Sequence, residues 1–142
     1  ASLTDAMVAA IGAQDDGDAA ALAEAVTATF LARPRCCQLM AILASTLEQN
    51  VSEATIVATK TEMNQHGARI VTALAARLPG AALADCAWAI AIIGSLLTGM
   101  WPGAHPPPAA RAVLARPEFA SLRMDLPRDL KRTAQVLLAS IS

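Results

Sequence analysis

The sequence predicts an all-α domain, and three observations carry that prediction. Hydrophobic residues make up 55% of the chain but aromatic residues only 3%, with no Tyr. This balance suits packed helices better than a β-sandwich, which draws on aromatic and β-branched alternation. No stretch alternates apolar and polar residues long enough to read as a strand, whereas apolar residues recur at three- and four-residue steps. A chain of 142 residues fits one domain and can bury about two-thirds of its unfolded surface.

Taken in order, the elements number about seven helices. Ser2 and Asp5 form a capping-box-like start, and Leu3, Met7, Val8 and Ile11 stripe the first helix. Asp15-Asp16-Gly17 breaks it, and Asp18 caps a second striped by Leu22, Val26, Thr29 and Phe30. Arg33-Pro34 ends that helix, because the residue before proline is pushed out of α geometry. Pro34 fits the first turn of a third, striped by Cys36, Leu39, Met40, Leu43 and Leu47 and closed by Asn50. Ser52 opens a long helix to Leu78 with Ile56, Val57, Met63, Ile70, Val71, Leu74 and Leu78 on one face. Lys60, Asn64 and Gly67 project onto that same face and interrupt it.

Residues 81–101, AALADCAWAIAIIGSLLTGMW, organise the rest. Pro79-Gly80 precedes them, Pro102-Gly103 follows, and Asp85 is the single charge within. A helix apolar on all sides must be buried in protein or lipid. A bilayer needs about 20 uninterrupted apolar residues, and here Ser95, Thr98, Gly94 and Gly99 dilute the run. The expectation is a buried core helix shared with a second subunit. Its alternation of small and large residues at Ala87, Ile90, Gly94, Leu97 and Trp101 suits close approach of another helix. His105 to Pro108, HPPP, cannot be helix interior. Ala109–Ala115 forms a short helix, and Asp125 with Pro127 starts the last. Leu126, Leu130, Ala134, Leu137 and Ile141 stripe it, with Arg128, Lys131, Arg132 and Gln135 opposite.

Charge and cysteine content narrow the function classes. Formal net charge is −1, unevenly spread: residues 1–32 carry five acids and no Lys or Arg. Residues 111–132 carry Arg111, Arg116, Arg123, Arg128, Lys131 and Arg132 against three acids. An acidic N-terminal third repels phosphates, so nucleic-acid binding by this chain is not expected. Three cysteines, Cys36 and Cys37 adjacent, make no disulfide framework. With no basic-then-apolar leader at the start, the expected compartment is a reducing cytoplasm.

Enzyme chemistry finds no foothold. His66 and His105 are the two histidines and neither has a nucleophile beside it in sequence. Glu62 and His66 are four apart, whereas di-metal bundle sites use Glu-x-x-His and several more carboxylates, so no metal or cofactor is expected. Cys37 and its neighbour Cys36 lie near a helix N-terminus beside Arg35, a place where a thiol pKa can fall, although small core residues are the plainer reading. No GxSxG, phosphate loop, CxxC or HExxH occurs. The polar interruption by Lys60 and Asn64 admits two readings: a lysine snorkelling past the stripe, or polar groups in an apolar small-molecule cavity.

Two segments point to a family. RPRCCQLMAILASTLEQNVS followed by Lys60, then GMWPGAHPPPAARAVLARPEF and a last helix after RMDLPRDL, resemble the C-terminal domain of tetracycline-repressor (TetR) type transcriptional regulators. The resemblance spans roughly residues 20–140, and its motifs are structural punctuation in a shared order. Cys37 sits where the most similar subgroup has its cysteine, and Lys60 matches a lysine there, although Thr59 replaces the phenylalanine that often precedes it. Such regulators join a helix-turn-helix module through a connecting helix to an α-helical domain that binds an effector and dimerises.

The resemblance implies that residues 1–13 are the end of the connecting helix and 14–142 the effector-binding and dimerisation domain. The helix-turn-helix has no counterpart here, so the chain is expected to be part of a longer protein that alone contacts DNA. The expected function is that of a regulator, a repressor releasing DNA on binding a small apolar ligand. The alternative is a free-standing helical carrier or interaction protein. A homodimer is expected through residues 81–101 and the last helix, with Ile90, Gly94, Leu97, Leu130, Ala134 and Leu137 near its centre. The expected pocket lies among Phe30, Met40, Met63 and Trp88, with Lys60 and Asn64 as polar groups at its edge.

Overall fold

Side-chain caps start four helices of the chain. Ser2, Asp18, Ser52 and Asp125 accept hydrogen bonds from the backbone N–H of Asp5, Ala21, Thr55 and Arg128, satisfying donors that a helix start leaves open. They precede α1 (Leu3–Gly12), α2 (Ala19–Leu31), α4 (Glu53–Arg77) and α7 (Leu126–Ile141). Proline at the first turn starts α3 (Pro34–Ser45) and α6 (Pro108–Leu114), where its missing N–H costs nothing. The remaining helix, α5, runs Leu83–Ala104. This is a computed structural model that describes the backbone of residues 1–142 and every side chain except those of Ala44, Ser45 and Leu47. Among the described residues there are seven α-helices, 3-10 turns at Leu47–Gln49 and Pro117–Leu122, and no strand.

Contacts along the chain orient the helices. Thr4 meets His66, Asp5 meets Arg69, and Arg77 donates to the Gly12 carbonyl, so α1 lies parallel to α4. Gly17, at φ 78, makes the turn into α2 and donates its N–H to the Arg77 carbonyl. The short turn after α4 sends α5 back against it. At that turn Gly80 lies against the Ser142 backbone, while Gly103, at the other end of α5, lies against Met124. These two contacts set α7 antiparallel to α5. On its other side α7 packs on α2, and Lys131 pairs with Glu24 there.

The core is a single apolar cluster. Met7 and Ile11 of α1 meet Leu22, Val26 and Phe30 of α2, Ile70, Val71 and Leu74 of α4, and Leu126, Leu130, Ala134 and Leu138 of α7. Through its middle runs one stripe of α5: Cys86, Ala89, Ile93, Leu97 and Trp101. Buried hydroxyls are satisfied locally, as Thr27 and Thr29 donate to the carbonyls of Ala23 and Ala25.

Several expectations change against this frame. α5 passes through Pro102 instead of stopping before it, since a proline in the last turn forfeits a single hydrogen bond. It is also not buried all round: in its most apolar 18-residue window only 22% is buried within the chain. α3 turns Cys37 inward, where its thiol donates to the Phe30 carbonyl at 3.1 Å, and leaves Cys36 and Leu39 exposed. Leu47, expected on the same face, has its side chain outside the described residues. On α4 the apolar face is buried from Ile70 onward, whereas Val57 and Met63 are exposed. At 25 residues α4 outruns the helices it packs on, so its first turns have no cover.

Burial sets the first expected outcome. Ile93→Ala and Leu130→Ala should each lower unfolding free energy by about 2–5 kcal/mol, and Val57→Ala by no more than about 0.5 kcal/mol, in urea titrations at one protein concentration. A second outcome concerns the tie between α1 and α4. The Arg69 guanidinium bonded to the Asp5 carboxylate, helped by the Ser2 hydroxyl, lowers the Asp5 pKa from its ordinary 3.8 to about 2. A carboxylate with a depressed folded pKa stabilises above its ordinary value and loses that contribution as pH falls from 3.8 through about 2. Carboxyl NMR titration should place the Asp5 midpoint near 2, and Arg69→Met should return it toward 3.8.

Candidate functional site

Two features of the surface are candidates for function: a paired cleft at one end of the bundle and the outer face of α5. The cleft forms where the α2–α3 corner, the end of α5 and the start of α7 converge. Arg33 breaks the chain between α2 and α3, and Cys37 closes the corner from within by bonding the Phe30 carbonyl. α5 ends at His105, whose Nδ1 lies 3.0 Å from the Trp101 carbonyl and whose ring stacks on Trp101 at 3.9 Å between centroids. A carbonyl oxygen can only accept, so Nδ1 carries the proton, and in the neutral ring Nε2 is left as an acceptor.

On one side of this stacked pair lies a cleft of about 490 Å³, walled by Leu31, Pro34, Ala104, Met124, Leu126 and Pro127, with Asp125 also in its lining. On the other lies a cleft of about 260 Å³, walled by Gln38, Ala41, Ile42 and Pro102. Trp101 and His105 border both. Gly103 lets the Met124 side chain approach: a Cβ added there would sit 3.2 Å from the Met124 terminal carbon.

None of the six residues expected to form a pocket lines either cleft. Phe30 is buried in the core and Met40 is half-buried against it. Met63 and Trp88 are about half exposed, and Lys60 and Asn64 lie on the uncovered part of α4. Lys60 neither snorkels from a buried stripe nor enters a cavity; it reaches Glu48 in the 3-10 turn after α3 as an exposed ion pair. Such pairs contribute little to stability in water. The correction has a physical cause: helical spacing tells which residues share a face of α4 but not how far along its length a neighbour covers that face. Trp101 and His105 carried weak sequence signals, one as a stripe position and the other as a residue in a proline-rich break. Their neighbourhood comes from α7 returning to the end of α5.

The expected interface residues also separate. Leu97, Leu130 and Ala134 are fully buried in the contact of α5 and α7 within one chain, so a second copy cannot reach them. Ile90, Gly94 and Leu137 are half-buried at its edges. The outer face of α5 presents Ala84, Ala87, Ala91 and Ser95, with Trp88 beside them, all exposed. A Cβ added at Gly94 or Gly99 would meet nothing within 4 Å inside the chain, and the same holds for Gly67.

Titratable groups add little chemistry. Burial raises the Cys37 and Cys86 thiol pKa values, the reverse of what a reactive thiolate needs. His66 is engaged with Thr4 across α1 and α4. Among the described residues no three His, Cys, Asp or Glu side chains gather as a metal-binding group.

No curated protein matches the chain in sequence. A family model described as "Tetracyclin repressor-like, C-terminal domain" matches residues 1–141, and the all-helical architecture agrees with it. The chain thus belongs to the tetracycline-repressor-like C-terminal domain family.

Proposed function

We propose that this chain is the effector-binding and dimerisation domain of a cytoplasmic transcriptional repressor, without enzymatic activity of its own. Domains of this family typically dimerise and bind small-molecule effectors. DNA contact belongs to a helix-turn-helix elsewhere in the regulator, and a small apolar ligand releases the operator by binding one conformer better than the other.

The observation that carries this reading is the uncovered face of α5. This helix of 22 residues is apolar around its whole circumference, yet one stripe suffices for the fold of a single chain. Glycine inside a helix costs about 0.5–1 kcal/mol relative to alanine. Neither Gly94 nor Gly99 makes room for anything in its own chain. A second helix against Ala87, Ala91, Gly94 and Ser95 accounts for Gly94 and covers apolar surface. The outer edge of α7, with Val136 exposed and Leu137 half-buried, supplies the other half of a symmetric four-helix contact.

Sedimentation provides the test. The wild-type chain should be dimeric at tens of micromolar. Gly94→Leu should be monomeric while keeping its helical circular dichroism, because the added side chain has space in the lone chain and none in the dimer. A monomeric wild type, or a dimeric Gly94→Leu, overturns the interface. For the effector half of the proposal, operator DNA should be released from the full regulator by an effector that leaves the dimer intact.

A further inference from the structure

We propose that the paired cleft around Trp101 and His105 is a binding site for a flat apolar amine. This rests on the effector-binding reading above and gives it a place and a ligand chemistry. The larger cleft, about 490 Å³, falls within the size range of small-molecule pockets, and its apolar side chains share the lining with the polar groups of His105 and Asp125. Those polar groups have one character. His105 Nε2 is an acceptor by the tautomer argument and has no partner among the described residues. The Asp125 carboxylate is an acceptor by its charge; it receives the Arg128 N–H and lies 3.9 Å from the Arg128 guanidinium, leaving further lone pairs. A ligand satisfying both must donate, and a negative one would face Asp125. A protonated amine on an aromatic or fused-ring body meets these demands, its ring against the apolar walls and its ammonium at His105 and Asp125.

The position gives occupancy a consequence. α1 runs parallel to α4, and α2 and α5 run back, so the cleft lies at the bundle end where α1 begins. One wall is the start of α3, the others the end of α5 and the start of α7. A ligand wedged there spreads or closes α3 relative to α5, next to the helix through which the domain joins the rest of the regulator.

The chain has two tryptophans, which makes the test direct. Trp101 borders the cleft and Trp88 stands on the outer face of α5. The ¹⁵N-labelled 142-residue chain would be titrated with 2-naphthylmethylamine, 2-naphthylmethanol and 2-naphthoate. Trp88→Phe identifies the indole N–H signal of Trp101. The amine should shift the Trp101 indole saturably and leave Trp88 in place, with affinity about tenfold above that of the naphthoate. His105→Phe keeps a ring on Trp101 but removes the acceptor, and should weaken the amine about tenfold. Asp125→Asn keeps the helix cap and should erase the preference for amine over naphthoate. The site is overturned if Trp88 moves while Trp101 does not, if naphthoate binds as well as the amine, or if neither indole responds. Since the dimer test does not involve the cleft, such a failure with an intact dimer leaves the domain reading standing.

Discussion

The fold depends on one line of contact, the inward stripe of α5 from Cys86 through Ala89, Ile93 and Leu97 to Trp101. α3, α4 and α7 all pack on this helix. The stripe mixes small and large side chains: Cys86 and Ala89 near its start, Trp101 at its end. That gradient lets the hairpin with α4 pack through Ile70, Val71 and Leu74 near the start of α5, while α3 packs farther on. Dispersion and apolar burial along this stripe hold the bundle together, because the ion pairs are exposed and individually weak.

Polar contacts have a different role: they orient elements that apolar packing leaves free to slide. α1 is pinned to the second half of α4 at three levels, by Thr4 with His66, Asp5 with Arg69, and Arg77 with Asp16 and the Gly12 carbonyl. The same Arg77 segment accepts the Gly17 N–H, so the α1–α2 turn and the end of α4 form one joint. α1 is therefore held in register with the second half of α4. The first half of α4 carries the exposed pair of Lys60 and Glu48.

The cleft and the outer face of α5 are independent surfaces on one helix. Trp101 faces inward at the C-terminal end, while Ala84, Ala87 and Ala91 face outward toward the N-terminal end. With the proposed ligand in the cleft and the proposed second copy on the outer face, a shift of α5 along its axis would reach both.

Local signals in the sequence were enough for the helices themselves. Ser2, Asp18, Ser52 and Asp125 are capping residues before periodic stripes, and Pro34 and Pro108 are first-turn prolines, so starts and periodicity follow from nearest-neighbour chemistry. The buried face of α2 was legible for the same reason, and that of α7 as far as Ala134, beyond which Leu138 is the buried residue while Leu137 and Ile141 are half-buried. Tertiary structure alone decided what covers each face. Val57 and Met63 share helical spacing with buried Ile70 yet stand in solvent, because no helix extends far enough to meet them. Leu97, Leu130 and Ala134 read equally well as core or interface until α7 was seen returning antiparallel to α5. Trp101 and His105 come to border a candidate cleft through that same return, which brings Met124 and Asp125 into its lining from more than a helix away in the chain. Helical periodicity depends on residues a few positions apart, whereas a cleft depends on chain ends that only packing brings together.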